Sequence, residues 1–264
     1  MISALIIAKN EKNNIGPCLD SLQGFADEAV VVVDSSSTDE TEQIARSKGA
    51  RVFVKDWPGF GAAKAWGLEQ TAGDFVLWID ADERMTPELA DEIREMVKGH
   101  SVISAVAFPR KAFFLGRWIK HCGWYPGYVT RFFKKEKAKF DERQVHEKLV
   151  IDGPVVKARE ALLHYTDPDL AHYFVKFNRY TQLAAEQMLL SGCRFRASDV
   201  IWKPPFIFIK MYLVKLGFLD GMEGFILCIL SSYYAFVKSI KLWELQRQKA
   251  VRTGTRETGS EKGS

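Results

Sequence analysis

The sequence predicts an α/β protein, a mostly parallel sheet with helices on both faces followed by a C-terminal helical extension. Three observations predict it. Short β-branched runs alternate with helical patterns through the first hundred residues, the signature of parallel strands joined by crossover helices. That alternation breaks after Pro109, and the chain has no internal repeat. An apolar stretch, Phe206–Trp243, interrupted by Lys210, Lys215, Asp220 and Glu223, supplies the extension.

The elements follow in order. Ser3–Ala8 (SALIIA) reads as a buried strand, and a helical stretch covers Asn13–Leu22. Glu28–Val33 (EAVVVV) is the second strand; the helix Asp39–Lys48 follows, with Gly49 as its stop. Arg51–Lys55 is the third strand, and the loop Asp56–Gly61 feeds a helix over Ala62–Thr71. Gly73-Asp74 turns the chain into the fourth strand, Phe75–Asp80. Thr86 is placed as an N-cap with Pro87 at the first helical position, opening a helix to Lys98. Val102–Phe108 is the fifth strand. Residues 110–160 mix aromatic and basic side chains with short strand-like pieces such as Val129–Lys134. Asp169–Ser191 is an amphipathic helix with Leu170, Tyr173, Phe174, Phe177, Thr181, Ala184 and Met188 on one stripe, stopped by Gly192. Asp220-Gly221 marks a turn inside the apolar stretch, and beyond Gln248 a polar tail is expected to be disordered.

Composition narrows the function classes. With 264 residues, 47% of them hydrophobic and 27% charged, the chain can bury a full core and is not disordered. A net charge of +4 is too small to argue for a nucleic-acid partner. The excess is local: Arg110–Arg143 holds ten Lys or Arg against three Asp or Glu, and Lys238 to the end holds seven against three. Cys18, Cys122, Cys193 and Cys228 stand far apart without metal-ligand spacing, as free thiols of a reducing compartment would. Ile2–Ala8 is too short for a signal-peptide core, and no uninterrupted apolar run reaches a membrane span, so a cytoplasmic location is expected.

Ligands of open parallel sheets bind beyond the carboxyl ends of the strands. Here those ends read Asn10-Glu11, Asp34-Ser35-Ser36-Ser37-Thr38-Asp39 and Asp80-Ala81-Asp82. The first turn is AKNEKNNIG where a dinucleotide site needs GxGxxG, which disfavours a nicotinamide oxidoreductase. Two carboxylates one residue apart at a strand end, Asp80 and Asp82, suit a hard divalent cation that also holds a diphosphate; otherwise one of them caps the turn.

The combination SALIIAKNE, VVVDSSSTDET and GFGAAKAWGLEQTAGDFVLWIDADE resembles the family 2 glycosyltransferases, over roughly the first hundred residues. His146-Glu147, GFLDG at 217–221 and KLWE at 241–244 are similar, more weakly, to the bacterial lipopolysaccharide-core branch. The resemblance implies a GT-A, Rossmann-like fold, a UDP-hexose donor and Mg²⁺ or Mn²⁺. It places Ala8, Asn10 and Glu11 along the nucleoside, Asp34 on base or ribose, Lys64 at the base or diphosphate, and Asp80 at ribose or sugar. Asp82, with Asp80, is the metal pair. Asp39 either contacts the nucleotide or caps its helix. Glu147 is the implied base that deprotonates the acceptor hydroxyl, with Asp141 and Glu142 as rivals; His146 positions it or packs, and His164 either adds a metal ligand or is structural. Trp118, Trp124 and Tyr125 among basic residues suit a phosphorylated or acidic sugar, or form an aromatic core.

The organisation expected is a nucleotide-sugar half at 1–108, an acceptor and base half at 109–192, a helical extension at 193–247 and a tail at 248–264. Phe206–Trp243 is either a packed helical pair or an interfacial anchor with Trp202, Trp243 and lysines at headgroup level. The activity implied is inverting transfer of a hexose, glucose from UDP-glucose, to a glycolipid such as the lipopolysaccharide inner core. The enzyme would sit on the cytoplasmic face of the inner membrane. A polyprenyl-phosphate acceptor, or a non-catalytic membrane-bound module, are the alternatives.

Overall fold

The computed structural model describes residues 1–57, 59–99, 103–140 and 149–257. The chain divides into two compact units: Met1–Ala112 with Tyr125–Thr166, and Phe113–Trp124 with the residues from Asp167 onward.

The first unit begins β1 (Ile2–Ala8), α1 (Ile15–Ser21), β2 (Glu28–Asp34), α2 (Thr41–Ser47), β3 (Arg51–Lys55), α3 (Phe60–Gln70) and β4 (Phe75–Trp78). These strands lie parallel in the order β3-β2-β1-β4. Both faces are covered because side chains alternate along a strand. Ala4, Ile6 and Ala8 of β1 join Val31 and Val33 in a core with α1 and α4, while Leu5 and Ile7 join Val30, Val32, Ala63 and Leu68 on the other face. Gly67 lets α3 sit close to the sheet, since a Cβ there would lie 2.7 Å from Leu5 Cδ1 and 3.1 Å from Val32 Cγ2.

Beyond β4 the pairing changes direction. After β5 (Glu83–Arg84) and α4 (Pro87–Gly99) come β6 (Ala105–Phe114), β7 (Arg117–Trp118), β8 (Gly127–Lys134), β9 (Ala138–Phe140), β10 (Leu149–Ile151), β11 (Val155–Lys157) and β12 (Leu162–Asp167). The sheet continues β4-β8-β6-β12-β5, with β8 antiparallel to both β4 and β6. No helix joins β6 to β8, so β8 returns alongside β6 in the opposite sense. Parallel pairing therefore joins the first four strands and recurs where β11 lies beside β6. Thr86 caps α4 as its sequence position predicts, its Oγ1 accepting from Leu89 N at 3.2 Å.

The second unit is helical: α5 (Leu170–Leu190), α6 (Ala197–Ile209) and α7 (Gly221–Glu257), with a short 3-10 turn at Gly217–Asp220. Asp169 caps α5 by accepting from His172 N at 2.7 Å. Phe177 of α5 stacks on Tyr233 of α7, and Lys241 Nζ donates to Asn178 and Thr181. Asp220 is a buried carboxylate that accepts from Lys120 N, His121 N and His121 Nδ1 at 3.2, 2.8 and 2.9 Å. It ties the segment of β7 to the start of α7, above Phe114, Ile119, Cys122, Leu227 and Cys228. Gly224 is required there, because a Cβ would meet Gly217 O at 2.3 Å.

α7 runs past Gln248 to Glu257, into the first residues of the expected tail, and residues 258–264 lie outside the described residues. Gly217–Lys249 contains a window long and apolar enough to cross a membrane, with a third of that window buried; a search for uninterrupted apolar runs passes over it.

Candidate active site

Because β1, β2 and β4 are parallel, their carboxyl ends share one edge, and the acidic strand ends fall there. Asp34 closes β2 and is 8% exposed. Its carboxylate accepts from Ser36 N at 2.8 Å, Ser36 Oγ at 2.6 Å and Lys9 Nζ at 3.3 Å. The Ser36 hydroxyl foremost, then its amide and Lys9, hold this carboxyl below the usual range against the opposing effect of burial. Asn10, in the left-handed region at φ 55°, accepts through Oδ1 from Thr38 N at 2.8 Å and Ser37 Oγ at 3.2 Å. Glu11 N donates to Thr41 Oγ1 at 2.7 Å, and the Glu11 carboxylate accepts from Asn14 at 2.8 Å. Ala8 is buried in the core at the end of β1. Asp39 accepts from Lys12 N at 3.0 Å and from Thr41 N at 3.1 Å; burial works to raise its carboxyl, yet the Thr41 hydroxyl and these amides hold it low. The structure thus joins Asn10, Glu11, Asp34 and Asp39 through one loop network.

The β4 end is built differently. Asp80 N donates to Glu83 Oε2 at 3.0 Å, and Glu83 N returns to Asp80 O at 2.9 Å, closing a tight turn through Ala81 and Asp82. Arg131 of β8, 5% exposed, binds the carboxylates of Asp80 and of the fully buried Glu83, the latter at 2.9 Å. Arg110 of β6 adds a guanidinium 3.7 Å from Glu83. Burial pushes the Glu83 carboxyl up, opposed by Arg131; burial would lower Arg131, but Asp80 and Glu83 outweigh it and raise it. Arg131 also lies over the Trp78 ring at 4.0 Å, and Lys64 Nζ approaches the same ring at 4.4 Å. The Nε atoms of Arg131 and Arg110 and the indole nitrogen of Trp78 are buried and make no hydrogen bond to the described residues.

Asp82 has a separate neighbour. β12 pairs antiparallel with β5, setting His164 opposite Glu83, and Tyr165 N donates to Asp82 O at 2.8 Å. This register brings His164 Nε2 to 3.4 Å from Asp82 Oδ2. Asp80 therefore pairs with Arg131, while Asp82 Oδ2 faces His164. Among the described residues no three His, Cys, Asp or Glu side chains converge on one point. Glu147, Asp141, Glu142 and His146 lie outside the described residues.

Sequence reasoning missed Arg131, Glu83 and Arg110. The available signal for Arg131 was a single charge in the apolar run Val129–Phe133, since a lone arginine inside a buried strand needs a buried acid.

Residues 3–155 match the family described as Glycosyl transferase family 2. The lipopolysaccharide core biosynthesis glycosyltransferase LpsC of Rhizobium meliloti (strain 1021) is 31% identical over 261 residues, covering 94% of each chain. An uncharacterized glycosyltransferase of Rickettsia conorii is 29% identical over 276 residues, covering 98% of this chain and 96% of its own. Among solved structures, glucosyl-3-phosphoglycerate synthase from Mycobacterium tuberculosis, in complex with Mn²⁺, UDP and glucosyl-3-phosphoglycerate, aligns at a TM-score of 0.40 and 26% identity, over 52% of this chain and 57% of that one.

Proposed function

The chain belongs to glycosyl transferase family 2, and we propose that it moves a hexose, glucose from UDP-glucose, with inversion onto a glycolipid of the lipopolysaccharide inner-core type. Its place would be the cytoplasmic face of the inner membrane, as a peripheral protein. The observation that carries the reading is the pair Asp82 and His164 at the end of β4, on the edge that also presents Asn10 and Asp34.

That pair fits a divalent cation. Adjacent ligands of an octahedral ion with bonds of ~2.1 Å lie about 3 Å apart, close to the 3.4 Å between Asp82 Oδ2 and His164 Nε2. Asp82 and His164 would hold the ion. Mg²⁺ or Mn²⁺ held there supplies charge neutralisation to the departing nucleoside diphosphate.

The protein's own groups do the rest. Asn10, Glu11 and Asp34 receive the nucleoside, on a loop that its own hydrogen bonds hold in place before the donor arrives. Asp80, pinned by Arg131, offers its carboxylate to a ribose or sugar hydroxyl. Lys64 brings a positive charge toward the diphosphate from above Trp78. The acceptor oxygen then attacks the anomeric carbon, the bond from that carbon to the diphosphate breaks, and Glu147 takes the acceptor proton. Glu147 is assigned from its place in VHE, after the acceptor-side segment, and inversion from the family.

The test is hydrolysis of a panel of nucleotide sugars with Mn²⁺ or Mg²⁺ and then with EDTA, read as release of nucleoside diphosphate. One donor is expected to give metal-dependent release, with kcat/KM lowered about a hundredfold in Asp82→Ala. His164→Ala should lose metal affinity about tenfold to a hundredfold. Glu147→Gln should retain donor binding by calorimetry while losing transfer to acceptor. If calorimetry detects no nucleotide sugar at all, the donor assignment fails.

A further inference from the structure

α6 is apolar on two sides, and only one of them is covered. Phe208, with Tyr212 just beyond the helix, packs on Phe225 of α7 at 6.1 and 5.7 Å, and Ser232 Oγ donates to Pro204 O. The other side carries Trp202, Phe206 and Ile209, spaced four and three residues apart on one stripe, and Leu213 follows in the π-helical turn Lys210–Val214. They are 71%, 64%, 51% and 54% exposed, and the neighbouring Ile201 and Val214 are exposed as well. A contiguous apolar band of this size marks an interaction surface.

The charges around the band select its occupant. From Cys193 to Leu216 the chain carries Arg194, Arg196, Lys203, Lys210 and Lys215 against one acid, Asp199, which pairs with Lys203 at 2.7 Å. Lys203 and Lys210 are seven residues apart, so their ammonium groups flank the same stripe on long apolar stems. Two copies of so basic a surface repel each other, whereas anionic headgroups complement it. The backbone sets a depth. Pro204 and Pro205 lack the amides that would bond the carbonyls of Val200 and Ile201, leaving acceptors suited to a hydrated interface and not to a hydrocarbon interior.

We propose that the Trp202–Phe206–Ile209–Leu213 face seats α6 in the plane of an anionic lipid bilayer, with Lys203, Lys210 and Lys215 at the phosphates. The inference rests on the membrane-surface reading above and gives it an address: a monotopic helix, with α7 as its backing and not as a span.

The test is cosedimentation of the full chain with vesicles of phosphatidylcholine alone and of phosphatidylcholine mixed with phosphatidylglycerol. The mixed vesicles should bind the wild type, and added salt should weaken that binding. The double variant Trp202→Ser/Phe206→Ser should lower partition about tenfold or more. Lys210→Glu and Lys215→Glu should each lower it about fivefold or more. Circular dichroism melts and UDP binding by calorimetry should be unchanged in all of them, which separates a lost surface from a lost fold. Wild type bound to mixed vesicles with every variant equally bound overturns this face while leaving the membrane-surface reading in place. Wild type bound to neither vesicle overturns both, whatever the donor assays give. A lipid-free wild-type dimer that the double variant converts to monomer in sedimentation velocity overturns the bilayer in favour of a second copy.

Discussion

The two stretches of the strand-end edge hold their acids by opposite means. At β1 and β2, Asp34 is satisfied by Ser36, two residues on, and by Lys9, while Asn10 reaches the adjacent loop at Ser37 and Thr38. At β4, Asp80 and Glu83 depend on Arg131, 51 and 48 residues away, with Arg110 behind it. The first stretch is a web of hydroxyls and main-chain amides, each member worth about 1 kcal/mol. The second is a buried ion group, in which removing one partner strands a charge. Tuning by small steps is open to the first and closed to the second.

The largest expected effect tests the second stretch. Arg131→Met should cost about 3–5 kcal/mol in urea denaturation, because it takes from the buried Glu83 its nearer guanidinium and leaves Arg110 at 3.7 Å. Arg131→Met combined with Glu83→Gln should recover part of that loss. A single-variant cost below about 1 kcal/mol would break the comparison. Next, Asp34→Asn should cost about 1–2 kcal/mol at neutral pH. Its carboxyl is depressed in the folded protein, so its share of stability is complete above the ordinary value of 3.8 and is lost as pH falls through the lower folded value. The gap between wild type and Asp34→Asn in acid-denaturation curves should therefore narrow below about pH 4. Ser36→Ala should cost about 1 kcal/mol, through the hydroxyl alone. Smallest is Lys64→Met, expected at about 0.5–1 kcal/mol from its contact with Trp78 and read in the same melts.

This contrast also decides what a sequence reveals. The strands of the parallel half were legible because Leu5, Ile6 and Val30–Val33 are buried on both faces, leaving a continuous apolar run. Asp34 was legible for a related reason: its two shortest hydrogen bonds come from Ser36 in the same DSSSTDE segment, with only Lys9 reaching in from β1's end, so pattern and structure largely share a length scale. Asp80-Ala81-Asp82 stood out as a motif, but nothing local said that one acid would turn to Arg131 and the other to His164. That sorting is set by β8 beside β4 and β12 beside β5, pairings of strands distant in sequence. Two-residue strands such as β5 and β7 carry no periodicity to read. The end of α7 was not legible, because Val251, Thr253, Gly254 and Thr255 are poor helix formers in a polar stretch.

Asp220 imposes an order in time. Its partners Lys120 and His121 precede it by 100 and 99 residues. During synthesis at roughly 5–20 residues per second, the segment Phe113–Trp124 leaves the ribosome many seconds before the carboxylate that will anchor it exists. For that interval the amides of Lys120 and His121 have only water to bind, and Phe114 and Ile119 lack Leu227 and Cys228 as neighbours. The segment therefore waits on residues made about a hundred positions later, and a nascent chain halted short of Asp220 would lack the carboxylate that anchors it.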